Sequence, residues 1–176
     1  MLKIIAISIT IIITVLLVAA SIMKKEYSIS SEIIINKPRN TVFNYVKNIK
    51  NQEKYSKWVM ADPNVKMDYK GTDGTVGFIA AWKSEIKDVG IGAQEITQIK
   101  DGERYDVEIT FEKPFKGIST AFTTTEAITE NQTKVTTTFN SKTPFPMNLM
   151  IPMIKNMLLK DMNENASNLK KILETQ

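Results

Sequence analysis

Tyrosine, carboxylate and lysine side chains supply all the proton chemistry open to this chain, because its 176 residues include no histidine and no cysteine. Ser-His-Asp and Cys-His catalysis, zinc sites with Cys or His ligands, thiol redox chemistry and disulfides are thereby excluded. No spaced acidic motif of the calcium-loop type occurs, and no pattern calls for a metal or a cofactor. Glu95 would serve as a base only if burial raised its pKa and a partner positioned it. The sequence supplies no such partner, so Glu95 is expected to face solvent. Arg104, Asp106 and Glu108 alternate with Tyr105 and Val107 and read as the wet side of a strand. No catalytic residue is assigned.

The remaining side chains of interest suit apolar binding. Met147, Met150, Met153, Met157 and Met162 place five of the nine methionines within sixteen residues. Methionine accommodates varied apolar shapes, and a helical spacing of three and four puts Met150, Met153 and Met157 on one stripe. That stripe, with Ile154 beside it, is expected at the entrance of a ligand cavity, and Leu158, Met162, Leu169 and Ile172 in fixed core. Trp58 and Trp82 offer flat apolar area with one N–H donor each. Gln94, Tyr105 and Phe122 lie on strands that would line such a cavity. Ordinary core packing competes with a binding role at each of these positions.

The elements that must carry these residues follow from periodicity. Tyr27 to Asn36 alternates as a strand and is stopped by Pro38. Thr41 to Ile49 has helical spacing, and Gln52 to Trp58 allows a second short helix. Strands are predicted over Val65–Lys70, Val76–Ser84, Val89–Ile99, Arg104–Glu112, Ile118–Thr129 and Thr133–Ser141, joined by short Gly, Asn and Asp turns into an antiparallel meander. Met147 to Leu173 reads as one long helix, with Pro152 either in its first turn or at a kink. An α+β fold results, in which a sheet of about seven strands wraps a long C-terminal helix.

Ile4 to Met23 is an uncharged run of 20 residues containing eight Ile, two Leu and two Val. As a helix it would span roughly 30 Å, the thickness of a hydrocarbon core. Val18-Ala19-Ala20 would suit a signal peptidase, but the run exceeds the length of a signal-peptide core, so an uncleaved single-pass anchor is expected. Residues 1–25 would form the membrane anchor and 26–176 the ligand-binding domain. Lys3 on one side and Lys24-Lys25 on the other leave the orientation undecided. Beyond Lys25 there remain 20 basic and 19 acidic residues, and only Arg39 and Arg104 are arginine. Nucleic acid is therefore not an expected partner.

Ile33-Ile34-Ile35-Asn36-Lys37-Pro38 followed by Val42-Phe43-Asn44-Tyr45-Val46 resembles the opening of START-like, or Bet v 1-like, proteins. Tyr55-Ser56-Lys57-Trp58, Gly71-Thr72-Asp73-Gly74, Gly90-Ile91-Gly92-Ala93-Gln94-Glu95-Ile96-Thr97 and Thr143-Pro144-Phe145-Pro146 resemble later family segments in the same order. The nearest likeness is to the bacterial polyketide cyclase/dehydrase and lipid-transport (SRPBCC) type. The resemblance implies a helix-grip fold with a cavity for a small hydrophobic ligand between sheet and C-terminal helix. It carries over no catalytic residue. A cyclase-type enzyme and a protein-interaction module like the heat-shock ATPase activators are the alternatives.

Overall fold

The computed structural model describes residues 1–175, so Gln176, the last residue of the expected domain, lies outside the described residues. Helix α1 (Leu2–Ile22) precedes strand β1 (Glu26–Ile35) with only Met23, Lys24 and Lys25 between them. Helix α2 (Arg39–Val46), a 3-10 turn (Ile49–Lys54) and the short helix α3 (Lys57–Met60) follow. The meander is β2 (Lys66–Lys70), β3 (Ile79–Lys83), β4 (Ile91–Lys100), β5 (Arg104–Lys113), β6 (Gly117–Thr129) and β7 (Gln132–Lys142). A 3-10 turn (Met147–Met150) then leads into α4 (Ile151–Thr175).

The seven strands form one antiparallel sheet in the order β1-β7-β6-β5-β4-β3-β2, so β1 closes on the end of the meander. Its register sets Glu26 opposite Lys142, Thr120 opposite Asn140, Phe111 opposite Gly117 and Ile91 opposite Lys113. The start of β1 therefore shares one edge of the sheet with the β3–β4 and β5–β6 loops. The opposite edge holds the β2–β3, β4–β5 and β6–β7 turns.

Two elements depart from the sequence pattern. The strand expected from Val76 starts only at Ile79, because Gly77 has a φ of +84° and its N–H already donates to the Ile96 carbonyl 2.8 Å away. The long helix expected from Met147 is divided, and regular α-helix begins at Ile151 with Pro152 in its first turn. A proline there forfeits only an N–H that has no intrahelical partner.

The hydrophobic core lies towards the edge of the sheet away from α1. Ile35, Val42, Phe43, Val46, Ile49, Phe78, Ile96, Val107, Val135, Leu169 and Leu173 are buried there in one cluster. Helix α4 packs chiefly on β1 and α3, not across the middle of the sheet. Leu158 and Met162, expected in the core, are half-buried and stand outside that cluster, whose α4 members, Leu169 and Leu173, come from the helix's second half.

Helix α1 is a different object. Its window Lys3–Ile22 has a mean hydropathy of 2.8, and the side chains from Lys3 to Val18 are exposed. Only its last turn touches the domain, where Ala20 is completely buried. There the buried Asn148 carboxamide donates to the carbonyls of Ala20 at 2.7 Å and Met23 at 3.1 Å. These carbonyls belong to the end of α1 and have no partner within it, so Asn148 caps the helix from 128 residues away.

Candidate functional site

Ser31 fixes which face of the sheet looks at α4: its hydroxyl donates to Asn163 Oδ1 at 2.7 Å. Alternation along each strand and the register between strands then place the rest. The inner face carries Ile29, Ser31 and Ile33 on β1, and Val135, Thr137 and Phe139 on β7. It carries Ser119, Ala121 and Thr123 on β6, and Tyr105, Val107, Ile109 and Phe111 on β5. Gly92, Gln94 and Ile96 on β4 and Ala80 and Trp82 on β3 complete it. Every one of these side chains is uncharged, whereas Glu95, Arg104, Asp106 and Glu108 point to the other side.

The inner face is filled unevenly. Towards the far edge Ile96, Tyr105, Val107 and Val135 are buried, while Trp82, Gln94, Ile109, Phe111 and Phe139, towards the α1 edge, are only half-buried. Helix α4 runs along β1 to one side of this second group, with Ile154 and Leu158 half-buried near its start. These half-buried side chains leave an apolar strip of the inner face beside α4, called the groove below, which runs into the core at one end.

Trp82 dominates one wall of this groove. Its indole N–H donates to the Val89 carbonyl at 3.1 Å, and its ring meets Phe111 edge-on with centroids 6.0 Å apart. Gly92 makes this position possible, since a Cβ there would lie 2.5 Å from Trp82 Cζ2 and 2.6 Å from the Thr110 carbonyl. The β3–β4 loop that supplies Val89 turns at Gly90, whose φ is +66° and whose missing Cβ leaves room for the Lys113 carbonyl.

The floor of the groove is a band of neutral polar groups. Gln94 Nε2 donates to Gln52 Oε1 at 2.8 Å, and the Thr123 and Thr137 hydroxyls are 3.0 Å apart. Tyr105 is buried with its hydroxyl beside Thr123 and Gln52, and burial pushes the phenol pKa up. Tyr55, buried nearby, is raised well above the ordinary value by burial and by the phenols of Tyr105 and Tyr45. Such phenols stay protonated at neutral pH and act as hydrogen-bond donors and acceptors, not bases. Among the described residues, no group of three or more acidic side chains is placed to hold a metal ion.

A polar latch fixes α4 over the mouth of α3. Lys57 Nζ lies 2.8 Å from Asp161 Oδ1 and 2.9 Å from Glu164 Oε2, and the Lys57 N–H donates to Asn165 Oδ1 at 2.7 Å. Hydrogen bonds to Asp161, then Glu164, push the Lys57 pKa up to about 12.

Of the sequence candidates, Trp82 and Gln94 lie on the half-buried part of the inner face, Tyr105 is buried in the adjoining core, and Ile154 is half-buried near the start of α4. Trp58 is half-buried in α3, one residue from the latch. Met150, Met153 and Met157 are exposed. Phe122 is a correction. It occupies the outer face opposite Asp106, and the Arg104 guanidinium stacks 3.9 Å from its ring centroid. The sequence reading passed over Ile109, Phe111 and Phe139, although the clean alternation of β5 puts Ile109 and Phe111 on the face of Tyr105. Asn148 was also missed. Two solvent-open clefts, of about 600 Å³ around Phe111, Lys116 and Ile118 and about 500 Å³ around Arg39, Arg104 and Thr124, are lined by none of the nine candidates.

Residues 26–174 match the family described as polyketide cyclase / dehydrase and lipid transport. No curated protein matches the chain in sequence. The chain is similar in structure to norcoclaurine synthase from Thalictrum flavum, solved in complex with dopamine and hydroxybenzaldehyde, at 12% identity and a TM-score of 0.64 over 86% of this chain and 88% of that one. A hypothetical protein from Helicobacter pylori gives 15% identity and a TM-score of 0.63 over 84% and 88% of the two chains. Ara h 8.0201 gives 14% and 0.53 over 82% and 98%. At these identities the likeness establishes the shared helix-grip fold.

Proposed function

The chain belongs to the polyketide cyclase / dehydrase and lipid transport family, and we propose that it is a membrane-tethered binding protein for a small hydrophobic or lipid-like ligand. The observation that carries this reading is the inner face of the sheet: uncharged along its strands, packed solid at one end, and left half-buried beside α4 at the other. An apolar groove with a few convergent neutral polar groups is the usual form of a small-molecule site. Gln94 and Tyr105 would hydrogen-bond a hydroxyl or carbonyl on the ligand, while Trp82, Ile109, Phe111 and Phe139 would cover its apolar part. Binding and orientation are what such a lining performs.

Residues 1–25 are the tether and 26–176 the binding domain in this reading. Length and composition favour α1 crossing a bilayer. The Asn148 cap supports retention of α1, because cleavage after Ala20 would leave an anchor point for Asn148 only at the severed end.

Bromine-labelled fatty acids titrated into the full-length protein in detergent test the groove. Saturable quenching of tryptophan emission that disappears in Trp82→Phe and persists in Trp58→Phe is the expected result. Quenching that does not saturate, or that is unchanged in Trp82→Phe, would remove the groove as the binding site.

A further inference from the structure

Large apolar side chains are exposed at the edge of the sheet where α1 arrives. Phe115 in the β5–β6 loop and Ile118 at the start of β6 are 74% and 63% exposed, and Ile86 in the β3–β4 loop, Phe145, Met147 and Met153 are exposed as well. The register places these loops at the same edge as Glu26, and the Thr143 N–H donates to the Lys25 carbonyl at 2.8 Å. The charge there is positive as well. Segments 23–26, 83–91, 112–118 and 142–155 carry eight lysines against four acidic residues.

Asn148 turns this distribution into a geometry. It binds the last turn of α1 to the 3-10 turn that bears Met147 and Met150, so the helix leaves the domain at this rim and nowhere else. The rest of α1 stands clear of the domain. A bilayer crossed by α1 would therefore begin where the rim ends. Exposed Phe, Ile and Met side chains interspersed with lysine suit a headgroup layer, which accepts apolar side chains and attracts lysine through anionic lipid.

We infer that this rim rests in the headgroup layer of the bilayer that α1 spans, and that the unfilled end of the groove opens onto that layer, so the ligand is a membrane-resident amphiphile with an uncharged polar group. The inference rests on the tethered reading above and adds a second, independent contact with the lipid. Trp82, Phe111 and Phe139 lie at the α1 end of their strands, which puts the half-buried part of the groove next to the rim. A ligand taken up there exchanges between lipid and groove without crossing water.

The absence of cysteine allows a direct test. Single-cysteine full-length proteins, Ile12→Cys, Phe115→Cys, Met153→Cys and Asn131→Cys, are labelled with an environment-sensitive fluorophore. They are reconstituted in vesicles of phosphatidylcholine and phosphatidylglycerol containing spin-labelled lipid. Loss of emission at 12 with deep quenchers, and at 115 and 153 with shallow quenchers, with none at 131, is the expected pattern. Quenching at 12 without quenching at 115 and 153 overturns the inference and leaves the tether standing. No quenching at 12 removes the tether and the inference with it. Equal quenching at 131 and 115 also overturns it, because the rim would then hold no preferred orientation.

Discussion

The indole of Trp82 lies over Gly92 of the neighbouring strand so closely that a Cβ on Gly92 would stand 2.5 Å from Trp82 Cζ2. The two residues are direct cross-strand partners between β3 and β4. Gly92→Ala should push the indole off the strand and break its bond to the Val89 carbonyl. The Thr110 carbonyl, 2.6 Å from the same Cβ, is backbone and cannot yield easily. Overpacking of this kind costs roughly 1–3 kcal/mol. Thermal melts should show the loss, and tryptophan emission should shift to the red as Trp82 gains water.

The face of Tyr105 was legible because β5 alternates Tyr105, Val107, Ile109 and Phe111 against charged or polar residues. That one strand sets the phase for its neighbours once pairing is known. Strand β6 has no such phase of its own. Its run Ser119-Thr120-Ala121-Phe122-Thr123-Thr124-Thr125 offers one apolar residue to each face, and only the pairing of Val107 with Ala121 decides between them. Phe122 thus went to the wrong side of the sheet. Leu158 and Met162 mislead for a different reason. Helical spacing shows which stripe of α4 is apolar, but not that α4 packs along β1 and leaves the stripe's first half outside the core.

Tyr105→Phe should separate ligands by polarity. Removing a buried hydroxyl from its partners costs about 0.5–1.5 kcal/mol of stability. Thr123 keeps Thr137 as a partner, so the fold should survive. Displacement of a fluorescent fatty-acid probe should weaken for ligands bearing a hydroxyl or carbonyl and stay nearly unchanged for hydrocarbons. Equal weakening of both would mean that Tyr105 supports the groove without touching its ligand.

Met153 and Leu169 sit on the same helix in opposite circumstances, one 61% and the other 4% exposed. Leu169→Ala should cost about 2–5 kcal/mol as a buried truncation. Met153→Ala should leave the melting temperature close to that of the parent and slow uptake of the probe from vesicles. A matched loss of stability in the two variants would make Met153 a packing residue.

The Lys57 latch gives a pH dependence with a definite sign. The folded-state pKa is raised from 10.5 to about 12, so its contribution to stability is complete below about pH 10.5 and is lost as the pH rises through 12. The raised phenols of Tyr55 and Tyr105 favour alkaline unfolding in the same region, so the parent alone cannot isolate the latch. The difference in melting temperature between the parent and Lys57→Met should be constant from neutral pH to about 10 and should shrink towards pH 12. A difference that does not change with pH would assign Lys57 a packing role only.

Among the described residues, Asn148 is the side chain that hydrogen-bonds the end of α1 to the domain from the far end of the sequence. Its Nδ2 serves both the Ala20 and the Met23 carbonyls, and the residue is wholly buried. Asn148→Ala leaves those carbonyls without their donor at a helix end packed against protein, and an unmet buried acceptor costs roughly 1–3 kcal/mol. The loss is local. Hydrogen exchange should quicken at Met23, whose N–H bonds to the Ala19 carbonyl, and at Leu149, whose N–H bonds to the Pro146 carbonyl. Amides of β5, which pair within the sheet, should keep the protection of the parent. Vesicle association should also persist, since the apolar stretch of α1 is untouched. Unchanged exchange at Met23 and Leu149 would show that packing of Ala20 alone holds α1 in place, and that the cap is not what sets the helix against the rim.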